Sequence, residues 1–164
     1  MALPQPKRTA RHDYHLAFWL IALLCLAFFS QSCTHSKRIY KSNCDVNVNF
    51  KKVSFRHLVD SITDYDRQYV EVSGKYVEDK ELSALFDDSA ITGPSGNDAL
   101  WVNFSQDCPL YLVGTHQGLF EYNDGQFTQI NNRPVIIRGK IDAHNKGSHK
   151  QCKATIDRVS LVEL

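Results

Sequence analysis

The stretch from Arg133 to His144, Arg-Pro-Val-Ile-Ile-Arg-Gly-Lys-Ile-Asp-Ala-His, most constrains what this chain can fold into. It combines a β-branched run, period-two alternation and one interior glycine, the pattern of a strand that must bend sharply. The pattern has an echo at Tyr69 to Val77, Tyr-Val-Glu-Val-Ser-Gly-Lys-Tyr-Val, where Val70, Val72, Gly74 and Lys75 answer Val135, Ile137, Gly139 and Lys140. Strands bent at a glycine belong at barrel corners, so two of them predict a small closed barrel.

The rest of the C-terminal part reads as β structure around these two. Strands are expected at about 69–78, 81–91, 99–104, 134–143 and 153–161, with a loop over Gly93-Pro94-Ser95-Gly96-Asn97-Asp98. Between the third and fourth strands, Tyr111-Leu112-Val113 reads as extended, and residues 120–130 read as a β-hairpin turning at Asn123-Asp124-Gly125. Ahead of the strands, Ser54 is placed to cap a short helix over 55–63, whose Phe55, Leu58, Val59 and Ile62 share one face. The expectation is a mainly β domain over 53–164: a five-stranded OB-like Greek-key barrel with one short N-terminal helix and an inserted hairpin. A β-sandwich of similar strand count is the other architecture this pattern allows.

Residues 16–29 form an uninterrupted apolar run of fourteen behind Lys7, Arg8 and Arg11. That is the length of a signal-peptide core and short of the roughly twenty apolar residues that span a bilayer. Ser30-Gln31-Ser32-Cys33 follows, with a small residue directly before the cysteine. This resembles a bacterial lipoprotein signal, which implies cleavage before Cys33, acylation of its thiol with palmitate-type chains, and anchoring of the new N-terminus. It departs from the usual lipoprotein pattern in having Ser30 where an apolar residue is the rule; an uncleaved anchor and an ordinary secreted protein are the other readings. On this reading 1–32 are the signal peptide, 33–52 a polar tether with a short extended piece at 46–50, and the rest faces the periplasm or cell exterior, where cysteines pair.

The basic leader is opposed only by Asp13, while the whole chain has 19 Lys and Arg against 18 Asp and Glu, so the part after the leader is near neutral. Without a basic field, nucleic acid is not an expected partner. No Gly-x-Ser-x-Gly, His-Glu-x-x-His or phosphate-cradling glycine loop occurs in the sequence, and no cofactor is implied. The acid pairs Asp87-Asp88 and Glu78-Asp79 fall at strand ends, where exposed acids are the ordinary case.

Three further groups bear on function. Cys44, Cys108 and Cys152 allow one intramolecular bridge and one spare thiol. In an OB barrel the third and fifth strands run parallel, which puts Cys108 and Cys152 at opposite ends and favours a bridge that uses Cys44. Trp101 and Asn103 alternate away from the expected core, as do the residues on which OB folds stack a ring; the plainer expectation is that Trp101 packs beneath the helix or the hairpin. His144, His149 and Cys152, with Asp142 nearby, are zinc-type ligands, but their spacing lacks the close pairs of structural zinc sites, so a solvated loop is the expectation.

The residues Ala99-Leu100-Trp101-Val102-Asn103-Phe104, the Val-x-x-x-Gly strand and the run from Gly139 to His149 resemble, over about residues 53–164, a little-characterised group of small bacterial proteins. In that group a short helix precedes an OB-like domain, and a stretch like Asp-Ala-x-Asn-Lys-Gly-His joins the last two strands. Ser148, inserted between Gly147 and His149, and the cysteines depart from its pattern. The resemblance implies the fold, carries no established enzymatic activity with it, and leaves function open. Together these readings predict a lipid-anchored envelope protein that binds a glycan, a peptide or another envelope protein through Trp101, Asn103, Asp142, His144, Asn145, Lys146 and His149. The alternatives are a metal-dependent or glycan-cleaving hydrolase and a structural subunit of a membrane complex.

Overall fold

The computed structural model describes residues 37–88, 98–121 and 127–164, the side chain of His149 excepted. The signal-peptide and acylation expectations fall on residues 1–36, outside the described residues. In chain order the elements are β1 (Ile39–Lys41), β2 (Lys51–Lys52), α1 (Phe55–Asp60), β3 (Tyr69–Asp79), β4 (Leu82–Phe86), β5 (Leu100–Val102), β6 (Tyr111–Leu112), β7 (Arg133–Asp142) and β8 (Ala154–Glu163). Strands β3, β4, β5, β8 and β7 pair in that order, and β7 returns to β3, which closes a five-stranded barrel. All these pairs are antiparallel except β5 with β8, where Leu100, Trp101 and Val102 face Ala154, Thr155 and Ile156 in parallel.

The two glycine strands are neighbours, and each glycine lies opposite the other strand's valine: Gly74 faces Val135 and Val70 faces Gly139. Both glycines are on the inward-facing positions of their strands, in line with the buried Val70, Val72, Tyr76, Val135, Ile137 and Ile141. A Cβ on Gly74 would stand 2.5 Å from the Phe86 carbonyl oxygen, and one on Gly139 2.5 Å from Ile156 Cγ2 and 2.8 Å from the Asp157 carbonyl oxygen. The glycines are therefore where the neighbouring strand presses across the bend. Next to Gly139 the register slips between Arg138 and Lys140, and Arg158 on the facing strand takes φ +49°, a bulge that turns the corner.

Side chains from every barrel strand meet in one core, and Phe55, Leu58, Val59, Ile62 and Tyr65 join it from the helical segment. That segment is shorter than expected: α1 ends at Asp60 and a 3-10 turn, Ile62–Tyr65, completes it because Ile62 and Tyr65 are drawn into the core. Ser54 has the extended backbone of an N-cap, yet its side chain makes no capping bond; its carbonyl accepts from the Leu58 N–H instead.

Other boundaries move as well. Residues 37–52, expected as the far part of a tether, belong to the compact unit Lys37–Leu164. Strand β1 pairs with β8 through Tyr40 and Val162, and the Tyr40 ring is buried. Residues 44–47 form a turn where extended chain was expected from Val46. Asp45 in that turn takes both Nε and Nη2 of Arg158 at 3.1 and 2.9 Å, and Cys44 is bridged to Cys108, Cα to Cα 5.6 Å. Of the long second strand only Leu82–Phe86 pairs, and residues 89–91 lie outside the described residues. The third strand shortens to Leu100–Val102. The expected Asp124-Gly125 turn also lies outside them, while 127–130 are not a strand: the Thr128 N–H and Oγ1 both bond the Glu78 carboxylate, which holds that backbone away from a ladder.

Candidate functional site

Trp101 and the loop that follows β7 come together at one end of the barrel. Asp142 starts the loop as an Asx turn, its Oδ1 accepting the His144 and Asn145 N–H groups at 3.0 and 3.1 Å. Asn145 Oδ1 accepts the Gly147 N–H at 3.0 Å, its carbonyl accepts Thr155 Oγ1 at 3.0 Å, and the Lys146 carbonyl accepts the Cys152 N–H at 3.1 Å. Gly147, at φ +73° and ψ −170°, lies against the Trp101 indole. A Cβ there would stand 2.5 Å from Cγ and Cδ2 of the ring. Only glycine takes that backbone conformation readily, and only glycine lets the loop sit so low on the ring.

Trp101 is thus half-buried, with Leu82 and Phe86 packing beside it against the small cluster of Ala84, Ala99 and Cys152. Among the described residues it is the loop at Gly147 that lies against the ring, where packing beneath the helix or the hairpin was the plainer expectation. Asn103 is exposed, and its Nδ2 donates to Asp157 Oδ1 at 3.0 Å. His144, Asn145 and Lys146 are exposed on the loop. His144 Nε2 lies 3.7 Å from Asp66 Oδ2, and Asp66 Oδ1 accepts the Ala143 N–H, so Asp66 steadies the loop from the opposite side. What this end of the barrel offers a ligand is a half-buried indole under a loop whose His144, Asn145 and Lys146 are exposed, with the exposed Asn103 two residues along the strand.

The described zinc-type side chains are not gathered. Cys152 is 4 % exposed beneath Trp101, and burial pushes its thiol above the ordinary range. His144 turns to Asp66, and His149's side chain lies outside the description. Among the described residues no group of three or more His, Cys, Asp or Glu is placed to hold a metal ion. The acid pair Asp87-Asp88 lines an open cleft of about 460 Å³ with Ser54, Phe55, Arg56 and Ser73, and Arg56 Nη2 is 3.6 Å from Asp87 Oδ2. Glu78 serves the fold: its carboxylate accepts from Tyr76 Oη and from Thr128, and its N–H is bonded to Asn131 Oδ1.

Two surface features escaped the sequence reading. Three cations lie over aromatic rings, Lys51 on Tyr65, Arg138 on Phe50 and Lys140 on Tyr69, at 4.7 to 5.7 Å. Phe50 meets the Tyr69 ring edge-on, and Arg138 also bonds Glu71 at 2.7 Å, so much of this strip is already engaged within the fold. The second feature is apolar. Tyr111, Val113, Phe120 and Phe127 are exposed in the segment between β5 and β7. Aromatic residues without period in an insertion were the available signal, but only the exposure separates them from core.

Compared with protein-family models, curated proteins and solved structures, the chain finds no match.

Proposed function

We propose that this chain is a lipid-anchored module of the bacterial cell envelope whose barrel is OB-like, and that it works by binding a glycan, a peptide or another envelope protein. The observation that carries the binding reading is the seating of Gly147 on Trp101. It joins the third barrel strand and the loop between the last two strands into one surface, where OB folds recognise rings and chains. Placement outside the cytoplasm draws support from the Cys44–Cys108 bridge, because such bonds persist in oxidising compartments. Cys33 is the proposed acylation site, and kinship with the group of small bacterial proteins belongs to the same proposal.

The test is binding of soluble cell-wall glycan fragments, together with co-purification of envelope proteins after mild crosslinking. Asn103→Ala and Lys146→Ala alter exposed side chains, and each should weaken capture about fivefold, the worth of one hydrogen bond of about 1 kcal/mol. Turnover of the fragments by the purified protein would sink the binding reading in favour of the hydrolase.

A further inference from the structure

Among the described residues the exposed large hydrophobics are Val46, Tyr111, Val113, Phe120 and Phe127, from 46 to 64 % exposed. Four belong to the insertion, and the fifth is in the turn that Cys44–Cys108 fastens to it. Single exposed apolar residues need no explanation, but four in one segment of a small domain do. That segment is built onto the start of the folded unit. Strand β6 pairs with β1, Tyr111 opposite Lys41, and the Val113 N–H donates to the Ile39 carbonyl at 2.8 Å. Gln129, two residues beyond Phe127, accepts from Arg38 Nη1 at 3.1 Å.

We infer that this insertion is a membrane-resting surface, its aromatic side chains entering the headgroup region of the bilayer that holds the anchor. The inference rests on the proposed anchoring. Cys33 precedes Lys37 by four residues, which span at most about 14 Å of extended chain. An acyl chain on Cys33 therefore keeps β1 close to the lipid surface, and β6 lies one strand spacing, about 4.8 Å, from β1. Tyrosine and phenylalanine settle at that depth because the ring is apolar and the interface is wet on one side. The charges nearby suit anionic headgroups: Lys37 and Arg38 lead into β1 and Lys41 ends it, with Glu163 held by Lys37 at 2.7 Å and Glu121 bonded to the Gly118 N–H. A short tether with an apolar rest fixes the domain's orientation, so the Trp101 end would be presented in a constant direction.

The experiment uses the full chain, purified from the membranes of a bacterial host and reconstituted in vesicles of phosphatidylethanolamine and phosphatidylglycerol that carry a photoactivatable acyl chain. After flotation and illumination, labelled peptides are mapped by mass spectrometry. The expected result is co-flotation with label on the peptides holding Val113, Phe120 and Phe127 and none on the Tyr69–Asp79 strand. A Phe120→Ser, Phe127→Ser variant, checked for an intact Cys44–Cys108 bridge, should still float and should lose that label. Flotation with the insertion unlabelled, with label unchanged in the variant, or with the insertion crosslinked to a second copy or another protein would overturn the inference and leave the anchor standing. A chain that does not float at all would overturn both.

Discussion

Gly147 rests on the Trp101 indole with no room for a methyl group between them, since a Cβ would come within 2.5 Å of Cγ and Cδ2. Gly147→Ala combines that overlap with a backbone conformation that costs about 1–3 kcal/mol for a residue with a side chain. The expected outcome is a lower urea midpoint and red-shifted tryptophan emission. Trp101 is the only tryptophan after residue 19, so a chain cut before Cys33 reports on this contact alone. Wild-type stability and emission in the variant would mean that the loop is not seated on the ring.

The barrel corners make a matched pair of tests. Gly74→Ala presses a methyl against the Phe86 carbonyl, and Gly139→Ala presses one against Ile156 and the Asp157 carbonyl. Backbone cannot move aside as the end of a flexible side chain can, so each substitution should cost about 1–3 kcal/mol in denaturant unfolding. Gly114→Ala meets nothing within 4 Å, and at φ +82° its cost is conformational only, about 1 kcal/mol.

Much of this fold was legible from local pattern, and what was not depends on distant partners. The period-two alternation around Gly74 and Gly139 marked both long strands to within one residue, because inward and outward positions differ sharply in burial along them. Strand β1 has three residues and no period to read; it is a strand only because β8 and β6 pair with it. Phe127 to Ile130 reads as β by composition, and the Glu78 carboxylate overrides that by capturing Thr128. At the site, alternation correctly put Trp101 on the outer side of its strand, but no local rule says that a loop forty-odd residues later folds over it. The Cys44–Cys108 bridge likewise depends on a turn fixed by Asp45 and Arg158, 113 residues apart.

Alkaline pH should weaken the fold in a defined way. Burial raises the Cys152 thiol above its ordinary 9.0, and burial first, with the Glu78 charge adding to it, raises the Tyr76 phenol above its ordinary 10.0. Both groups then keep their protons in the folded chain after the unfolded chain has lost them. Their contribution is fully present below about pH 9 and falls as pH rises, since the folded state holds more protons. Urea midpoints should hold constant to about pH 8 and drop by about pH 10, and Cys152→Ala should postpone the start of the drop by about one pH unit. An unchanged profile in the variant would show that the thiol titrates normally.

The account's central claim is that this barrel is an acylated module held outside the cytoplasm, and Cys33 tests it directly. Wild type and a Cys33→Ala variant are grown in a bacterial host with labelled palmitate, and the intact masses of the purified chains are measured. The account predicts that the wild type takes up label and has the mass of a chain cut before Cys33 with acyl groups added, while the variant stays unlabelled and uncut. Two unlabelled, full-length proteins retained in the membrane would contradict it, and would make residues 16–29 a permanent anchor for a membrane-complex subunit.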